Sequence, residues 1–292
     1  NNSLSGLIPP FSGVDGQLSR LYLGDNELTG NVETMFATVS PDMLIDVRMS
    51  GNLLTGTLPT TIGLFQQLTA LYVDSNLLSG SIPTEIGHLE RLRILNLREN
   101  QLIGTIPTEV GYLVSCQFFV VERNMLSGTI PTEVGNLRVL LELRLHSNDF
   151  HGTILTEIGN LRKLRQFYLH DNQFIGTIPT EVGYLGSCTD LFVPRNSLTG
   201  TVPTEFGNMR SLQILELGFN FLSGSVPTEL DNCVNLRALG VTSNEGLSGR
   251  IDSILDGLST HMTTLLTGGT GIGGSIPTTV GRFSALRKFN LD

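Results

Sequence analysis

The sequence predicts an α/β repeat solenoid, a right-handed superhelix with a parallel concave sheet, short second strands, and short helical turns on the convex side. Three observations predict this fold. Asparagine recurs every 24 residues from Asn52 onwards, the phrase GTIPTEVG occurs at 104–111, 128–135 and 176–183, and leucines alternate with other residues before each asparagine. A fixed period in the twenties is typical of a solenoid. We expect a single solenoid over residues 1–292, with about twelve repeats of 24 residues.

The first element of each repeat is the L-x-L segment before the asparagine. Its alternation predicts a short strand with inward leucines, and stacking the repeats pairs these strands in parallel, about 4.8 Å apart. The chain must then turn while its buried backbone groups stay hydrogen-bonded. An inward asparagine amide both donates and accepts, so the asparagines are predicted to form a structural ladder. The ladder comprises Asn26, Asn52, Asn76, Asn100, Asn124, Asn148, Asn172, Asn196, Asn220 and Asn244.

The remainder of each repeat reads L-x-G-x-I-P-T-E-x-G, for example LTGTLP at 54–59, LSGSIP at 78–83, LIGTIP at 102–107 and LTGTVP at 198–203. This pattern resembles the plant-type leucine-rich repeat of receptor-kinase ectodomains, receptor-like proteins and polygalacturonase-inhibiting proteins. The resemblance implies that L-x-G-x-I-P forms a second, shorter strand, which the proline ends. The following threonine is predicted to cap a short helical turn, and the glutamate to favour its first positions.

Two units break the pattern. One, from Asn26, has two extra residues and Glu33 in place of the proline; the other is a looser unit that begins at Asn244, after which Thr270 stands where the next asparagine is expected. Gly269, Gly271 and Gly274 match the phosphate-binding pattern G-x-G-x-x-G. A dinucleotide site needs a helix directly after such glycines, whereas here the repeat continues into SIPTTVG. We therefore predict no cofactor.

Composition and chain ends narrow the class of protein. The net charge of −9 makes nucleic acid an unfavourable partner. The paired-cysteine caps of the family are missing, and an uncapped terminal repeat would expose apolar core. We expect a fragment of a longer chain, so that any membrane attachment lies outside it. Cys116, Cys188 and Cys233 take core leucine positions and are expected to be too far apart to form disulfides.

Ligand binding is expected on the concave face, six, four, two and one residues before each asparagine, because these positions point away from the core. Aromatic residues and arginines, which often dominate binding energy, concentrate in the middle repeats. The candidate ligand-binding residues are Tyr72, Arg98, Phe118, Glu122, Arg123, Arg144, His146, Tyr168, His170 and Phe192. The alternative is a solvated face with charges paired along the sheet, Arg98 with Glu122 and Glu99 with Arg123.

Three regular columns could have further roles. Glu122, His146 and His170 are the residue set of a two-histidine, one-carboxylate metal site, but parallel side chains on successive strands do not converge, so no metal is predicted. An acidic row could bind Ca²⁺ weakly, although it is expected to stay solvated: Glu85, Glu109, Glu133, Glu157, Glu181, Glu205 and Glu229. Two threonine columns resemble those of ice-binding proteins: Thr105/Thr108, Thr129/Thr132, Thr153/Thr156, Thr177/Thr180 and Thr201/Thr204.

These observations predict a non-enzymatic recognition module. His170 and Asp171 are the nearest approach to a catalytic pair, and neighbouring side chains of a strand face opposite ways. The resemblance implies the extracellular or cell-surface part of a receptor-like or adhesion protein. Its ligand would be a peptide, a protein or a cell-wall glycan, which a co-receptor would share in signalling. The alternatives are a soluble inhibitor-like protein, an ice-binding repeat protein and a structural spacer.

Overall fold

The computed structural model describes residues 2–11 and 17–292, which fall into two compact units, Asn1–Asp149 and Phe150–Asp292. Both units repeat the same elements: a main strand, a turn at the asparagine, a second strand and a short helix. The strands of each unit pair in parallel with the strands of the adjacent repeats. The predicted leucine-rich-repeat solenoid is therefore confirmed within each unit.

The main strands contain the L-x-L residues and are three residues long. Their register is one repeat, so that Leu95 lies opposite Phe119. Both side chains are fully buried. In the first unit the main strands are Arg20–Tyr22, Asp46–Arg48, Ala70–Tyr72, Ile94–Asn96, Phe118–Val120 and Glu142–Arg144. In the second they are Gln166–Tyr168, Asp190–Phe192, Ile214–Glu216, Ala238–Gly240, Thr264–Leu266 and Lys288–Asn290.

The second strands follow the asparagines, as the resemblance implies. They run into the glycine of L-x-G, which has a positive φ in most repeats, and the proline that follows ends the pairing. They are Ser5–Leu7, Glu27–Asn31, Leu53–Thr55, Ile103–Gly104, Met125–Gly128, Asp149–Gly152, Gln173–Thr177, Ser197–Thr201, Phe221–Ser225, Gly246–Arg250 and Gly271–Gly273.

Short 3₁₀-helices follow the proline position, which is proline in every case except Leu155: Thr60–Leu64, Thr84–His88, Thr108–Tyr112, Thr132–Asn136, Thr156–Asn160, Thr180–Tyr184, Thr204–Asn208, Thr228–Asn232 and Thr278–Arg282. The predicted threonine cap is wrong. The extended proline, such as Pro107, already occupies the cap position, so that Thr108 is the first helical residue. Its hydroxyl donates instead to the carboxylate of Glu109, at 3.2 Å.

Among the described residues, two segments are α-helical, Val32–Thr38 and Ile251–Gly257, and they belong to the two irregular repeats. In both, an acidic residue, Glu33 or Asp252, stands in place of the proline. Proline disfavours a helical residue before it, and without it the helix starts at the preceding residue, two residues earlier than in the regular repeats. Leu155 also replaces a proline but keeps the 3₁₀-turn, so the acidic residue in the first turn contributes as well.

The asparagine amides hold successive repeats together, as predicted. Asn100 is representative: its Oδ1 accepts from the N–H of Leu78 in the preceding repeat at 3.0 Å. Its Nδ2 donates to the carbonyls of Val73, Leu97 and Arg98 at 3.0–3.1 Å. Where Thr270 replaces the asparagine, the N–H of Leu247 turns to the carbonyl of Asn244. The ladder is therefore structural.

The three cysteines are buried and free, which confirms the prediction. Burial raises the thiol pKa of Cys116 and Cys188 to about 12, and that of Cys233 to about 11. All three thiols stay protonated at neutral pH and serve as small core residues.

Candidate functional site

The open face of each main sheet carries the residues six, four, two and one positions before the asparagines. Near the start of the first unit, the guanidinium carbon of Arg48 lies 5.1 Å from the ring centroids of both Tyr22 and Tyr72. Arg48 also pairs with Asp46 at 3.0 Å, and the hydroxyl of Tyr22 donates to the same carboxylate at 2.9 Å. Tyr72 is thus part of a cation–π cluster whose other members are absent from the predicted site.

Further along this face, Arg98, Glu99 and Arg123 form an ion-pair network. The Glu99 carboxylate lies 2.8 Å from Nη2 of Arg98 and 2.6 Å from Nη1 of Arg123, and it accepts from the hydroxyl of Ser75 at 2.9 Å. Hydrogen bonds from Arg98 and Ser75 lower the pKa of Glu99 to about 2. The predicted pairing of Glu99 with Arg123 is confirmed.

Glu122 differs from the expectation that its position is open to solvent, because only 2% of its surface is exposed. Its Oε1 lies 3.6 Å from Nε of Arg98, which confirms the predicted pair. Its Oε2 is buried and accepts no hydrogen bond within the described part of the chain. Burial raises the pKa of Glu122, and the charges of Arg144 and Arg98 only partly oppose this shift.

Glu99 and Glu122 are expected to affect stability in opposite pH ranges. An unfolded glutamate has a pKa of about 4.3. Glu99 has a lowered pKa, so its stabilisation is present above that value and is lost as the pH falls towards 2. Glu122 has a raised pKa, so its contribution is present below that value and is lost as the pH rises.

The melting temperatures of Glu99→Gln and Glu122→Gln, measured from pH 2 to pH 7, test this difference. Relative to the parent chain, we expect Glu99→Gln to be least stable at neutral pH and to match the parent near pH 2. The melting temperature of Glu122→Gln should rise relative to that of the parent as the pH rises above about 4. Parallel pH profiles for the two variants would contradict the assignment.

Phe118, Arg144 and His146 complete the predicted residues of the first unit. Phe118 and Arg144 lie on main strands with half-buried side chains, and Nη2 of Arg144 pairs with Glu142 at 3.0 Å. His146 is also half-buried, two residues before its asparagine. These side chains therefore lie on the open face, as predicted.

In the second unit, Tyr168, His170 and Phe192 form an aromatic cluster. The rings of Tyr168 and Phe192 pack edge to face, with centroids 4.9 Å apart and an interplanar angle of 80°. The imidazole of His170 lies 6.1 Å from each. All three are half-buried, so the cluster presents ring surface to solvent. The next residue of the row, Glu216, is not among the predicted candidates.

In the described residues, the set of Glu122, His146 and His170 forms no metal site, and the G-x-G-x-x-G glycines form no nucleotide site. Over residues 2–11 and 17–292, no three histidine, cysteine or acidic side chains are grouped so that they could hold a metal ion. The G-x-G-x-x-G glycines lie on and around the second strand Gly271–Gly273, which pairs with Gly246–Arg250. The next helix begins at Thr278, after a proline, so the repeat phase continues as predicted.

Both threonine columns have contacts within the fold. The hydroxyls of the column that follows the prolines donate to the adjacent glutamates, as Thr132 does to Glu133 at 3.1 Å. In the other column the methyl group packs on the glycine of the next repeat: a Cβ placed at Gly128 would lie 2.7 Å from Cγ2 of Thr105. These contacts explain the regularity of the acidic row and of both threonine columns in structural terms.

The repeats are matched by models of known families. A model described as a leucine-rich repeat region matches residues 75–173, and a leucine-rich repeat model matches 163–185 and 211–233. No curated protein matches the chain significantly. No helix in the described ranges is long and apolar enough to cross a membrane.

Solved structures show the same fold. The ectodomain of the Arabidopsis receptor kinase HAESA, in complex with an extended IDA peptide hormone ligand, is 29% identical with a TM-score of 0.87, over 99% of this chain and 48% of that one. The plant peptide hormone receptor RGFR1, in complex with RGF2, is 32% identical with a TM-score of 0.80, over 98% of this chain and 53% of that one.

A plant ice-binding protein shares the fold alone, with 24% identity and a TM-score of 0.66 over 78% of this chain and 73% of that one. The chain spans about half the length of the two receptors that it matches. The repeat pattern, the parallel strands and these likenesses agree. The chain is a plant-type leucine-rich-repeat protein.

Proposed function

We propose that the chain is a ligand-binding module that recognises a peptide along the open face of its main sheets. The aromatic cluster of Tyr168, His170 and Phe192 carries this proposal. Its rings pack on one another, and those of Tyr168 and Phe192 stand on paired parallel strands, so little side-chain entropy is lost when a ligand packs against them. Aromatic residues of this kind often dominate binding energy.

The likeness to plant receptors supports a peptide as the ligand class. HAESA and RGFR1 were both solved with peptide hormones bound, and their repeats superpose on nearly the whole of this chain. The open face of the first unit carries charged groups of its own, among them Arg98 and Arg123. Such groups could give a peptide its register through electrostatic complementarity. An extracellular location and a co-receptor that contacts the bound ligand belong to the same proposal.

The proposed mechanism is surface recognition by a rigid scaffold, without a chemical step. The buried ladder and the close-packed leucines fix the main strands, so the open face is formed before the ligand arrives. Sequence changes on this face would alter the ligand without altering the fold, because its residues are not part of the core.

Peptide display followed by calorimetry tests the proposal. A library of random extended peptides is selected on the 292-residue chain, and the Kd of enriched peptides is measured on variants. We expect Tyr168→Ala to weaken binding about tenfold or more, as for a hot-spot aromatic residue. Tyr184→Ala is the matched control, because Tyr184 is an exposed tyrosine on the 3₁₀-helix side of the same unit.

Two results would contradict the proposal. The first is the failure of any peptide to be enriched above the display background. The second is an equal loss of affinity in Tyr168→Ala and Tyr184→Ala, which would place the binding surface away from the main sheet. Melting temperatures of both variants show whether a loss of affinity reflects a loss of folding.

A further inference from the structure

Glu216 continues the row formed by Tyr168 and Phe192 on the open face of the second unit. These residues are register partners on successive main strands, Tyr168 opposite Phe192 and Phe192 opposite Glu216. Burial raises the pKa of Glu216, and only Lys288, three main strands further on, opposes this shift. No donor within the described ranges bonds to its carboxylate. A partly desolvated carboxylate without a partner is unfavourable, and a bound cation would relieve it.

The next main strand, Ala238–Gly240, has no side chain at the position beneath this carboxylate. Gly240 is the register partner of Glu216, and a methyl group at Gly240 would collide with the Glu216 carboxylate. The carboxylate therefore lies across the next strand, in the space that a side chain would otherwise fill. Gly218, two residues after Glu216, is likewise without a side chain and is buried. The result is a low floor of backbone beside the ring of Phe192.

Apart from Lys288, whose charge acts on Glu216, the charged residues described near this floor are acidic or already paired. Asp190 lies on the same strand as Phe192 and accepts from the hydroxyl of Thr189 at 2.6 Å. Nε of Arg195 lies 3.7 Å from Asp171, and its guanidinium carbon is 4.9 Å from the ring centroid of Phe219. The surface thus combines aromatic rings with a carboxylate that forms no ion pair within the described ranges.

We propose that Phe192, Tyr168 and Glu216 form a subsite for a basic side chain, lysine or arginine, of the peptide ligand. The hydrocarbon stem packs on the ring of Phe192 and over the glycine floor, and the cationic head pairs with Glu216. Long basic side chains bury their stems and keep their charge at a polar group in this way. Aromatic rings attract cations as well, which adds to the ion pair.

This inference rests on the proposed function and names the chemistry of one ligand position. A sugar ring could also stack on Phe192, but it would supply no charge to offset the desolvated carboxylate. The unpaired carboxylate is therefore the observation that favours a cation. The two ligand classes differ in their response to Glu216→Gln, which removes the charge and keeps the shape.

A double-mutant cycle on the enriched peptides tests the subsite. Each basic residue of an enriched peptide is replaced by norleucine, which keeps the stem and removes the charge. Binding of both peptides is measured by calorimetry on the parent chain, on Glu216→Gln and on Glu245→Gln. Glu245 is a suitable control, because it is an exposed glutamate of the same unit.

We expect one basic residue whose replacement by norleucine weakens binding tenfold or more on the parent chain and on Glu245→Gln, but less than twofold on Glu216→Gln. An unchanged norleucine effect on Glu216→Gln would overturn the subsite. So would enriched peptides without any lysine or arginine. In both cases the proposed function stands if Tyr168→Ala still weakens binding about tenfold or more while Tyr184→Ala does not.

A different result would contradict the proposed peptide-binding function itself. If no peptide is enriched, and neutral cellohexaose shifts the ring resonances of Phe192 equally in the parent chain and in Glu216→Gln, then the face binds sugar rings. That result overturns both the peptide proposal and the basic subsite. A melting temperature of Glu216→Gln equal to that of the parent chain shows that both proteins are folded in this comparison.

Discussion

Asn100→Ala is expected to lower the free energy of unfolding by about 3–5 kcal/mol, which is large for a single substitution. The N–H of Leu78 is buried and bonds to Oδ1 of Asn100 at 3.0 Å. An orphaned buried N–H costs about 1–3 kcal/mol. The loss of the three hydrogen bonds donated by Nδ2 adds to this cost. It adds less than the orphaned N–H, because each of the three carbonyls also accepts from a second donor: Val73 from Asn76, Leu97 from Asn124, and Arg98 from the N–H of Ser75.

Urea unfolding followed by circular dichroism measures this loss, and Asn136→Ala is its control. Asn136 is an exposed asparagine that ends a 3₁₀-helix of the same unit, so its replacement should change stability by no more than about 0.5 kcal/mol. Amide exchange adds a local readout, because the N–H of Leu78 should lose protection in Asn100→Ala. If both variants are equally stable, the ladder asparagines do not hold the repeats together.

Much of this fold can be predicted from sequence, because one short pattern is repeated. The period places every asparagine and every inward leucine, and the backbone requirements of one repeat apply to all. The buried free cysteines and the pairing of Glu99 with Arg123 follow from the same register. Such features depend on spacing alone, which the sequence displays directly.

The left-handed turns before the asparagines are not predictable in this way. The residue before the asparagine has φ between 52° and 57° in nine repeats, including those of Arg123 and Phe219. This conformation costs a non-glycine residue about 1–2 kcal/mol. Nothing in the side chains of arginine or phenylalanine indicates it. The turn that brings the asparagine amide inward imposes this conformation. In the sequence it is indicated only by Gly51 and Gly269, which are glycines at the same position of their repeats.

The burial of the candidate site residues is also not predictable from the repeat pattern, because burial on an open face depends on neighbouring side chains. Glu122 and His146 hold equivalent positions, yet the surface of Glu122 is almost completely covered while His146 is half-buried. Glu216 extends over a glycine on the next strand, which makes it a candidate only when both repeats are seen together. Column position predicts which way a side chain points but not what covers it.

Gly159→Ala is expected to destabilise the second unit by about 1–3 kcal/mol through overpacking between repeats. Gly159 belongs to the T-E-x-G motif, and a Cβ placed there would lie 2.7 Å from the carbonyl oxygen of Glu181 and 2.9 Å from its Cβ. Glu181 is in the helix of the next repeat, Thr180–Tyr184. Its backbone cannot move aside without separating the two repeats, which would weaken the strand ladder that they share.

Gly186→Ala is the matched control, because a Cβ at Gly186 would meet nothing within 4 Å and Gly186 has no positive φ. Replacing such a glycine reduces the entropy of the unfolded chain, so this variant should be more stable than the parent by about 0.4–1 kcal/mol. The two glycine-to-alanine changes should therefore shift the urea midpoint in opposite directions. Equal midpoints would mean that the helices of successive repeats are not in backbone contact, and the glycine of T-E-x-G would need a different explanation.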